Sequence, residues 1–158
     1  MGSLFAKYIV DTSSFTSLQR TYPRDVFPGA WTLLDKLSRN GVLISVEDVL
    51  EELKGQDDEV FKWAMKNKSI FLPLDEAIQV QARRILAERP TLVDLKRRKS
   101  GADPFVIAAA AVYSCAVVTE EKPSGGPQKV KIPDVCKHLN LRCIAVLDML
   151  RDEGLRLQ

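Results

Sequence analysis

Residues 105–113 form an uncharged, almost wholly apolar segment, and this segment constrains the fold more than any other part of the chain. Asp103 and Pro104 precede it. An N-cap acid followed by proline in the first turn is typical of a helix start, so we expect a helix here. A helix that is apolar on all sides has no face for water and must be buried. The rest of the chain must therefore supply secondary structure that covers it.

Short apolar segments alternate with helical patterns along the chain. The helical patterns include Trp31, Leu34 and Leu37, which recur at the spacing of one helix face. The apolar segments are nearly continuous, as strands buried on both faces are. We predict strands at residues 7–11, 42–44, 69–72, 116–119 and 142–147, the last of which either stays a strand or runs into a helix. The alternation predicts an α/β fold, with a central, mostly parallel sheet flanked by helices.

Ser45 and Asp48 have the spacing of an N-cap hydroxyl and a capping-box acid. We therefore predict that a helix begins after Ser45 and ends near Gly55. This helix carries two adjacent acids, Glu51 and Glu52. One residue step on a helix turns the side chain by about 100°, so only one of them faces inward, and periodicity alone leaves open which one.

Composition and targeting signals narrow the class of protein. With 158 residues, 46% of them hydrophobic, the chain suits a single domain with a sizeable core. Its apolar runs are far shorter than the roughly 20 residues of a membrane span, and residues 1–6 lack the features of a secretory signal. We expect a soluble cytoplasmic protein with no membrane partner. In that setting Cys115, Cys136 and Cys143 should be reduced, and the single histidine, His138, excludes the usual zinc patterns.

Charge is segregated along the chain, although the net charge is only +2. Residues 47–59 contain seven acids and one lysine, whereas residues 83–99 contain seven bases and two acids. A site that holds cations and receives a phosphate backbone has this distribution. Two ordinary solvated helix faces explain it equally well.

Acidic residues stand where several predicted elements begin or end. Asp11 follows the first strand, and Glu120 and Glu121 follow the strand at 116–119. The carboxyl ends of parallel strands meet at one edge of a sheet, and the start of the buried helix at Asp103 opens there or into a cleft. Carboxylates gathered there repel each other unless a cation neutralises them, and oxygen ligands favour Mg²⁺ or Mn²⁺ over zinc. The simpler alternatives are that Asp11 caps the following turn and that Asp103 caps its helix.

Four motifs, in this order, resemble those of the PIN-domain ribonucleases and, within them, the VapC-like toxin branch. The motifs are YIVDTS at 8–13, VLEEL at 49–53, ADPFVIAAA at 102–110 and VVTEE at 117–121. The resemblance implies a single three-layer PIN-like domain over residues 1–158. The family pattern of Glu followed by Leu favours Glu52 over Glu51. Carried over position by position, the metal-binding and catalytic acids fall on Asp11, Glu52, Asp103 and Glu121, and the supporting hydroxyls on Ser13 and Thr119.

The resemblance also implies an activity and partners. The activity is hydrolysis of RNA phosphodiesters with Mg²⁺ or Mn²⁺, which leaves a 3′-hydroxyl and a 5′-phosphate. Arg97, Arg98 and Lys99, just ahead of Asp103, would contact RNA phosphates. The VapC-like branch further implies a homodimer that is the toxin of a type II toxin–antitoxin pair, inhibited by an antitoxin protein whose tail enters the acidic site.

The chain departs from the family pattern at two points. Glu121 stands where the family usually has Asp, and residues 122–131 are longer and richer in Pro and Gly than the short toxin loop. Asp134, directly after Pro133, is expected to start a helix rather than to join the site. One alternative is a catalytically inactive PIN-like module that binds RNA or a protein. Another is a haloacid-dehalogenase-like phosphatase, which requires an aspartate where this chain has Ser13.

Overall fold

The computed structural model describes residues 5–56, 58–92, 101–124 and 130–156, and its centre is one parallel sheet. The strands are β1 (Tyr8–Val10), β2 (Leu43–Val46), β3 (Phe71–Leu72), β4 (Ala116–Val118) and β5 (Cys143–Ile144). Their spatial order is β3-β2-β1-β4-β5, and every neighbouring pair is parallel. The predicted α/β fold with a parallel sheet flanked by helices is confirmed.

Eight α-helices are found in the described residues. They are α1 (Thr12–Thr21), α2 (Pro28–Arg39), α3 (Glu47–Leu53), α4 (Asp58–Lys66), α5 (Glu76–Glu88), α6 (Asp103–Tyr113), α7 (Ile132–His138) and α8 (Val146–Asp152). Single 3₁₀ turns lie at Lys68–Ile70 and Pro90–Leu92. None of the helices that the structure describes has the length and apolar character needed to span a membrane.

The apolar helix α6 lies in the core, as its sequence predicts. It packs against β1, β2 and β4 and is covered by α5 and α7. Its residues from Val106 to Ala110 are fully buried. On the other face of the sheet, α1, α2 and α4 share an aromatic cluster, in which Trp63 contacts the rings of Phe15 and Trp31. The sheet is therefore buried on both faces.

The connections define a crevice at one point of the sheet edge. From β1 the chain moves to β2 and then β3, whereas from β4 it moves the opposite way to β5. Right-handed crossovers place the helices after β1 and those after β4 on opposite faces. The crevice between the carboxyl ends of β1 and β4 is the position where open α/β sheets bind ligands. Asp11 and Thr119 are the first residues after these two strands.

The residues predicted as N-caps of two helices are wrong, although both helices form where expected. Ser45 is not an N-cap but lies within β2, where its buried hydroxyl donates to the carbonyl oxygen of Val10 at 2.6 Å, so pairing with the neighbouring strand overrides the local capping pattern. Asp103 is the first residue of α6 rather than its cap, which is Ala102. Of the two alternatives left open at residues 142–147, a strand that runs into a helix is the one adopted.

Candidate functional site

An acidic cleft of about 740 Å³ lies at the carboxyl ends of β1 and β4. All four acids singled out in the sequence line it, together with Glu120, polar residues of α1 and two residues that follow α3. The lining residues are Asp11, Thr12, Ser13, Thr16, Arg20, Glu52, Gly55, Gln56, Asp103, Glu120 and Glu121. Chain segments up to about a hundred residues apart in sequence are thus brought to one place, as the parallel sheet predicts.

Asp11 lines the cleft and is 1% exposed. Its carboxylate accepts hydrogen bonds from the Ser13 hydroxyl at 2.9 Å, the Thr119 hydroxyl at 2.5 Å and the backbone N–H of Ser14 at 2.9 Å. The bond from Ser14 caps α1, so the simpler alternative for Asp11 is also true. Burial raises the pKa of Asp11 to about 6, although these hydrogen bonds oppose the shift.

The two predicted hydroxyls connect Asp11 to the chain after β4. The Ser13 hydroxyl accepts from the backbone N–H of Glu120, and the Thr119 hydroxyl accepts from that of Glu121, each at 3.1 Å. Ser13 and Thr119 therefore hold the carboxylate of Asp11 and the backbone of both glutamates in fixed positions.

Glu52 faces the cleft, whereas Glu51 is exposed and lies outside it. One carboxylate oxygen of Glu52 accepts from the Thr12 hydroxyl at 2.5 Å, and the other accepts from the backbone N–H of Ala102 at 3.2 Å. Glu52 thus bridges α3 to the start of α1 and to the residue before α6. These contacts identify Glu52, rather than Glu51, as the acid that faces the cleft, a choice that helical periodicity leaves open.

Glu120 and Glu121 both line the cleft and both contact a helix start. A carboxylate oxygen of Glu120 accepts from the N–H of Val146 at 2.9 Å, and one of Glu121 accepts from the N–H of Ile132 at 3.1 Å. These residues are the first of α8 and α7. The two acids therefore anchor the last two helices to the cleft, and their positions do not favour one over the other.

The other predicted residues are placed as follows. Asp103 is buried, with 7% of its surface exposed, and lines the cleft from the first turn of α6. Asp134 lies outside the cleft and accepts from the N–H of Lys131 at 2.8 Å, which fixes the start of α7 as expected from the sequence. The predicted RNA-contacting bases, Arg97, Arg98 and Lys99, lie outside the described residues.

Sequence reasoning missed the polar face of α1. Thr12, Thr16 and Arg20 recur every four residues and all line the cleft. The Thr16 hydroxyl donates to the side-chain oxygen of Gln56 at 3.1 Å. Arg20 is exposed and is the one base among the lining residues that the structure describes. The recurrence of polar residues at every fourth position, starting with Thr12 directly after Asp11, is the sequence signal that could have identified this face.

The chemistry of these donors fits a hard divalent cation. Carboxylate and hydroxyl oxygens are the ligands that Mg²⁺ and Mn²⁺ prefer. Each carboxylate oxygen has more than one acceptor position, so an oxygen that accepts one hydrogen bond can still bind a cation. Within the described residues, however, no three His, Cys, Asp or Glu side chains stand in metal-ligand geometry. Side-chain adjustment would accompany binding.

Comparisons with known proteins identify a family without an assigned activity. The family model described as Domain of unknown function (DUF4411) matches residues 8–157. No curated protein matches the chain significantly. Among solved structures, the crystal structure of PAE2754 from Pyrobaculum aerophilum is similar at a TM-score of 0.43 and 17% identity, over 89% of this chain and 93% of that one.

Proposed function

The chain belongs to the DUF4411 family, and we propose that it is a ribonuclease that depends on Mg²⁺ or Mn²⁺. One observation carries the proposal. Buried Asp11 shares a single cleft, at the crevice between the carboxyl ends of β1 and β4, with the side chains of Glu52, Asp103, Glu120 and Glu121. In open α/β sheets this position binds ligands, and function depends on the groups found there rather than on the fold.

The charge of the cleft supports a cationic ligand. Among the described residues, Asp11, Glu52, Glu120 and Glu121 form no ion pair. Carboxylates brought together in a partly buried site repel each other, and each loses hydration. A divalent cation would relieve both penalties at once, which neutral hydrogen-bond donors cannot do.

Asp11, Glu52 and Asp103 would hold the cation, with Glu120 or Glu121 completing the set. A bound Mg²⁺ or Mn²⁺ supplies an activated water and stabilises the charge of a phosphoryl transition state. The neighbouring residues of the chain hold the ligand carboxylates in position. Ser13 and Thr119 fix the carboxylate of Asp11, and Thr12 fixes that of Glu52. Such preorganisation avoids rearrangement during the reaction.

Arg20 would contact the substrate. It lies on the same side of α1 as Thr12 and Thr16, and it is exposed, so a backbone phosphate can reach its guanidinium group. RNA is favoured as the substrate by the resemblance of the four motifs to PIN-domain ribonucleases. Cleavage would leave a 3′-hydroxyl and a 5′-phosphate.

The biological setting follows from the same resemblance. A member of the VapC-like branch would be the toxin of a type II toxin–antitoxin pair and act as a homodimer on RNA in the cytoplasm. Its antitoxin would insert a segment into the acidic cleft. An antitoxin-like reading frame beside the gene would support this setting, and its absence would count against the toxin role without affecting the chemistry.

A second candidate is a catalytically inactive module that binds RNA or a protein. The contacts of Glu120 with Val146 and of Glu121 with Ile132 favour it, because each carboxylate already has a structural partner. In this case the cleft acids serve to hold helices, and no turnover is expected.

Incubation of the purified chain with mixed cellular RNA tests the proposal. Cleavage should occur with Mn²⁺ or Mg²⁺ and stop with EDTA. Asp11→Asn should lower the rate by at least about 100-fold, because a central ligand is lost. Asp25→Asn is the matched control, since Asp25 is exposed and lies outside the cleft, and it should cleave at the wild-type rate. RNA binding without cleavage in every sample would support the inactive module and overturn the nuclease.

A further inference from the structure

Two uncharged side chains, those of Thr16 and Gln56, contact each other and form a neutral pair that lines the cleft. Thr16 lies one helical turn after Thr12, whose hydroxyl contacts Glu52, and one turn before Arg20. Each of these steps is about 6 Å along the axis of α1. The neutral pair is therefore set between the acidic end of the cleft and its arginine.

The neutral pair keeps hydrogen-bonding groups available to a ligand. The Thr16 hydroxyl lies 3.1 Å from Gln56 Oε1 and 3.1 Å from the carbonyl oxygen of Thr12, and its single proton serves one of these acceptors at a time. The hydroxyl oxygen can still accept a hydrogen bond, and the Gln56 amide has two protons to donate. Within the described residues, Gln56 Nε2 has no acceptor. The pair thus offers the cleft one donor group and one acceptor.

The cleft is open beside the neutral pair. Gln56 is exposed, and Gly55, the residue before it, also lines the cleft. A Cβ atom at position 55 would meet nothing within 4 Å apart from its own chain neighbours. Charged groups of a ligand are better served by the cleft acids and by Arg20, because neither member of the pair carries a charge. The complement of the pair is a neutral group that both donates and accepts, as a hydroxyl does.

The proposed chemistry gives this complementarity a role. Hydrolysis that leaves a 3′-hydroxyl and a 5′-phosphate does not use the ribose 2′-hydroxyl, because water is the nucleophile. The reaction itself therefore does not distinguish RNA from DNA. A contact with the 2′-hydroxyl, which is both a donor and an acceptor, is how a protein makes this distinction at a given site.

We propose that the neutral pair binds the 2′-hydroxyl of a nucleotide beside the scissile phosphate and makes the cleft selective for RNA over DNA. The Gln56 amide donates to the oxygen of this hydroxyl, and the hydroxyl donates to Thr16 Oγ1. The inference rests on the proposed ribonuclease function and adds to it the groups that recognise the sugar. A deoxyribose at the same position leaves both side chains without this partner, which is how a site built to bind a hydroxyl rejects the analogue that lacks it.

Single 2′-deoxy substitutions in a short RNA strand with a mapped cut test this proposal. At one nucleotide beside the cut, the substitution should lower kcat/KM of wild type about 10-fold, because two hydrogen bonds are lost. Gln56→Ala should cleave the unsubstituted strand about 10-fold more slowly and show no further loss at that nucleotide. Thr16→Val should lose part of the same sensitivity. Gln19→Ala is the matched control and should behave as wild type, since Gln19 is a glutamine of α1 outside the cleft.

Binding separates this proposal from the nuclease proposal. Fluorescence anisotropy with Ca²⁺ in place of Mn²⁺ compares the affinities of the RNA strand and of an all-deoxy strand of the same sequence. Wild type and Gln19→Ala should prefer RNA about 10-fold, and Gln56→Ala should lose most of this preference. The same preference without any cleavage in Mn²⁺ would overturn the nuclease and support the sugar contact. Equal binding of the two strands by wild type, or a deoxy penalty that persists in Gln56→Ala, would overturn the sugar contact itself.

Discussion

The acidic side chains at the two ends of strand β1 have opposite electrostatic surroundings. At the amino end, Glu153 accepts a hydrogen bond from the Tyr8 hydroxyl at 2.6 Å and pairs with Lys7 at 3.7 Å. At the carboxyl end, Asp11 accepts hydrogen bonds from neutral hydroxyls and a backbone amide. One end therefore compensates its acid with a cation from the chain, and the other does not within the described residues.

This difference indicates what each end is for. A compensated carboxylate at the amino end joins α8 to the sheet and needs nothing further. The carboxylate at the carboxyl end is less exposed, and burial raises its pKa to about 6, so ionisation is less favourable there than for an ordinary aspartate. An uncompensated buried acid in a cleft is a candidate functional group on physical grounds.

The largest effect expected at the carboxyl end is on catalysis. Glu52→Gln should lower kcat/KM for RNA on the order of 10³-fold, because a ligand of the proposed cation loses its charge. Glu51→Gln removes the same charge one residue away, outside the cleft, and should leave kcat/KM unchanged. Initial rates with Mn²⁺ measure both. Equal losses in the two variants would mean that general helix charge, rather than the cleft, matters.

The second effect is on stability and its pH dependence. The pKa of Asp11 in the folded chain, about 6, lies above that of an ordinary aspartate. Its contribution to stability is therefore complete below pH 4 and is lost as the pH rises through about 6. Without divalent cations, Asp11→Asn should be more stable than wild type at pH 7 by up to about 3 kcal/mol, and this advantage should vanish near pH 4.

Urea unfolding in EDTA at several pH values measures this difference between the two proteins. Adding Mn²⁺ at pH 7 should raise the stability of wild type and leave that of Asp11→Asn unchanged, because binding to the folded state is what stabilises. A stability difference that stays constant between pH 4 and pH 7 would show that Asp11 is not an uncompensated buried acid.

A smaller effect is expected at the margin of the cleft. Arg20→Ala should raise KM for RNA about 10-fold and leave kcat nearly unchanged, because a phosphate contact that is the same in the bound substrate and in the transition state stabilises both equally. Arg39→Ala removes an exposed arginine of α2 and should have no effect. Steady-state kinetics in low salt measure both variants. A loss confined to kcat would instead place Arg20 in the reaction itself.

The smallest effect is expected at the amino end of β1. Tyr8→Phe removes one hydrogen bond to Glu153 while Lys7 stays in place. The free energy of unfolding should fall by about 1 kcal/mol, and cleavage of RNA should be unchanged. A fall in the cleavage rate as large as that of Glu52→Gln would show that the amino end of β1 also serves catalysis, which would contradict the proposed difference between the two ends of the strand.

The sequence predicts the features that depend on local pattern. The buried strand before Asp11 and the buried helix α6 follow from apolar composition, and the convergence of Asp11 with Glu120 and Glu121 follows from parallel topology. These steps need no knowledge of particular contacts, because burial and strand direction fix them.

The features that the sequence does not predict depend on partners far along the chain. Ser45 has the sequence pattern of an N-cap, but its hydroxyl donates to the Val10 carbonyl oxygen of the neighbouring strand β1. Glu52 is separated from Glu51 by contacts with Thr12 and Ala102, about 40 and 50 positions away. A local sequence pattern contains no information on hydrogen bonds to such distant residues, so it cannot predict when they replace a local interaction such as an N-cap.

The bonds from Ile132 to Glu121 and from Val146 to Glu120 make two backbone protons into reporters of the cleft. Each amide belongs to the first residue of a helix outside the cleft, yet its chemical shift senses the charge on a carboxylate inside it. A cation that draws either carboxylate away lengthens the bond and speeds hydrogen exchange at that amide. Two assigned peaks in a nitrogen–proton spectrum thus follow occupancy of the cleft, without a label and without turnover.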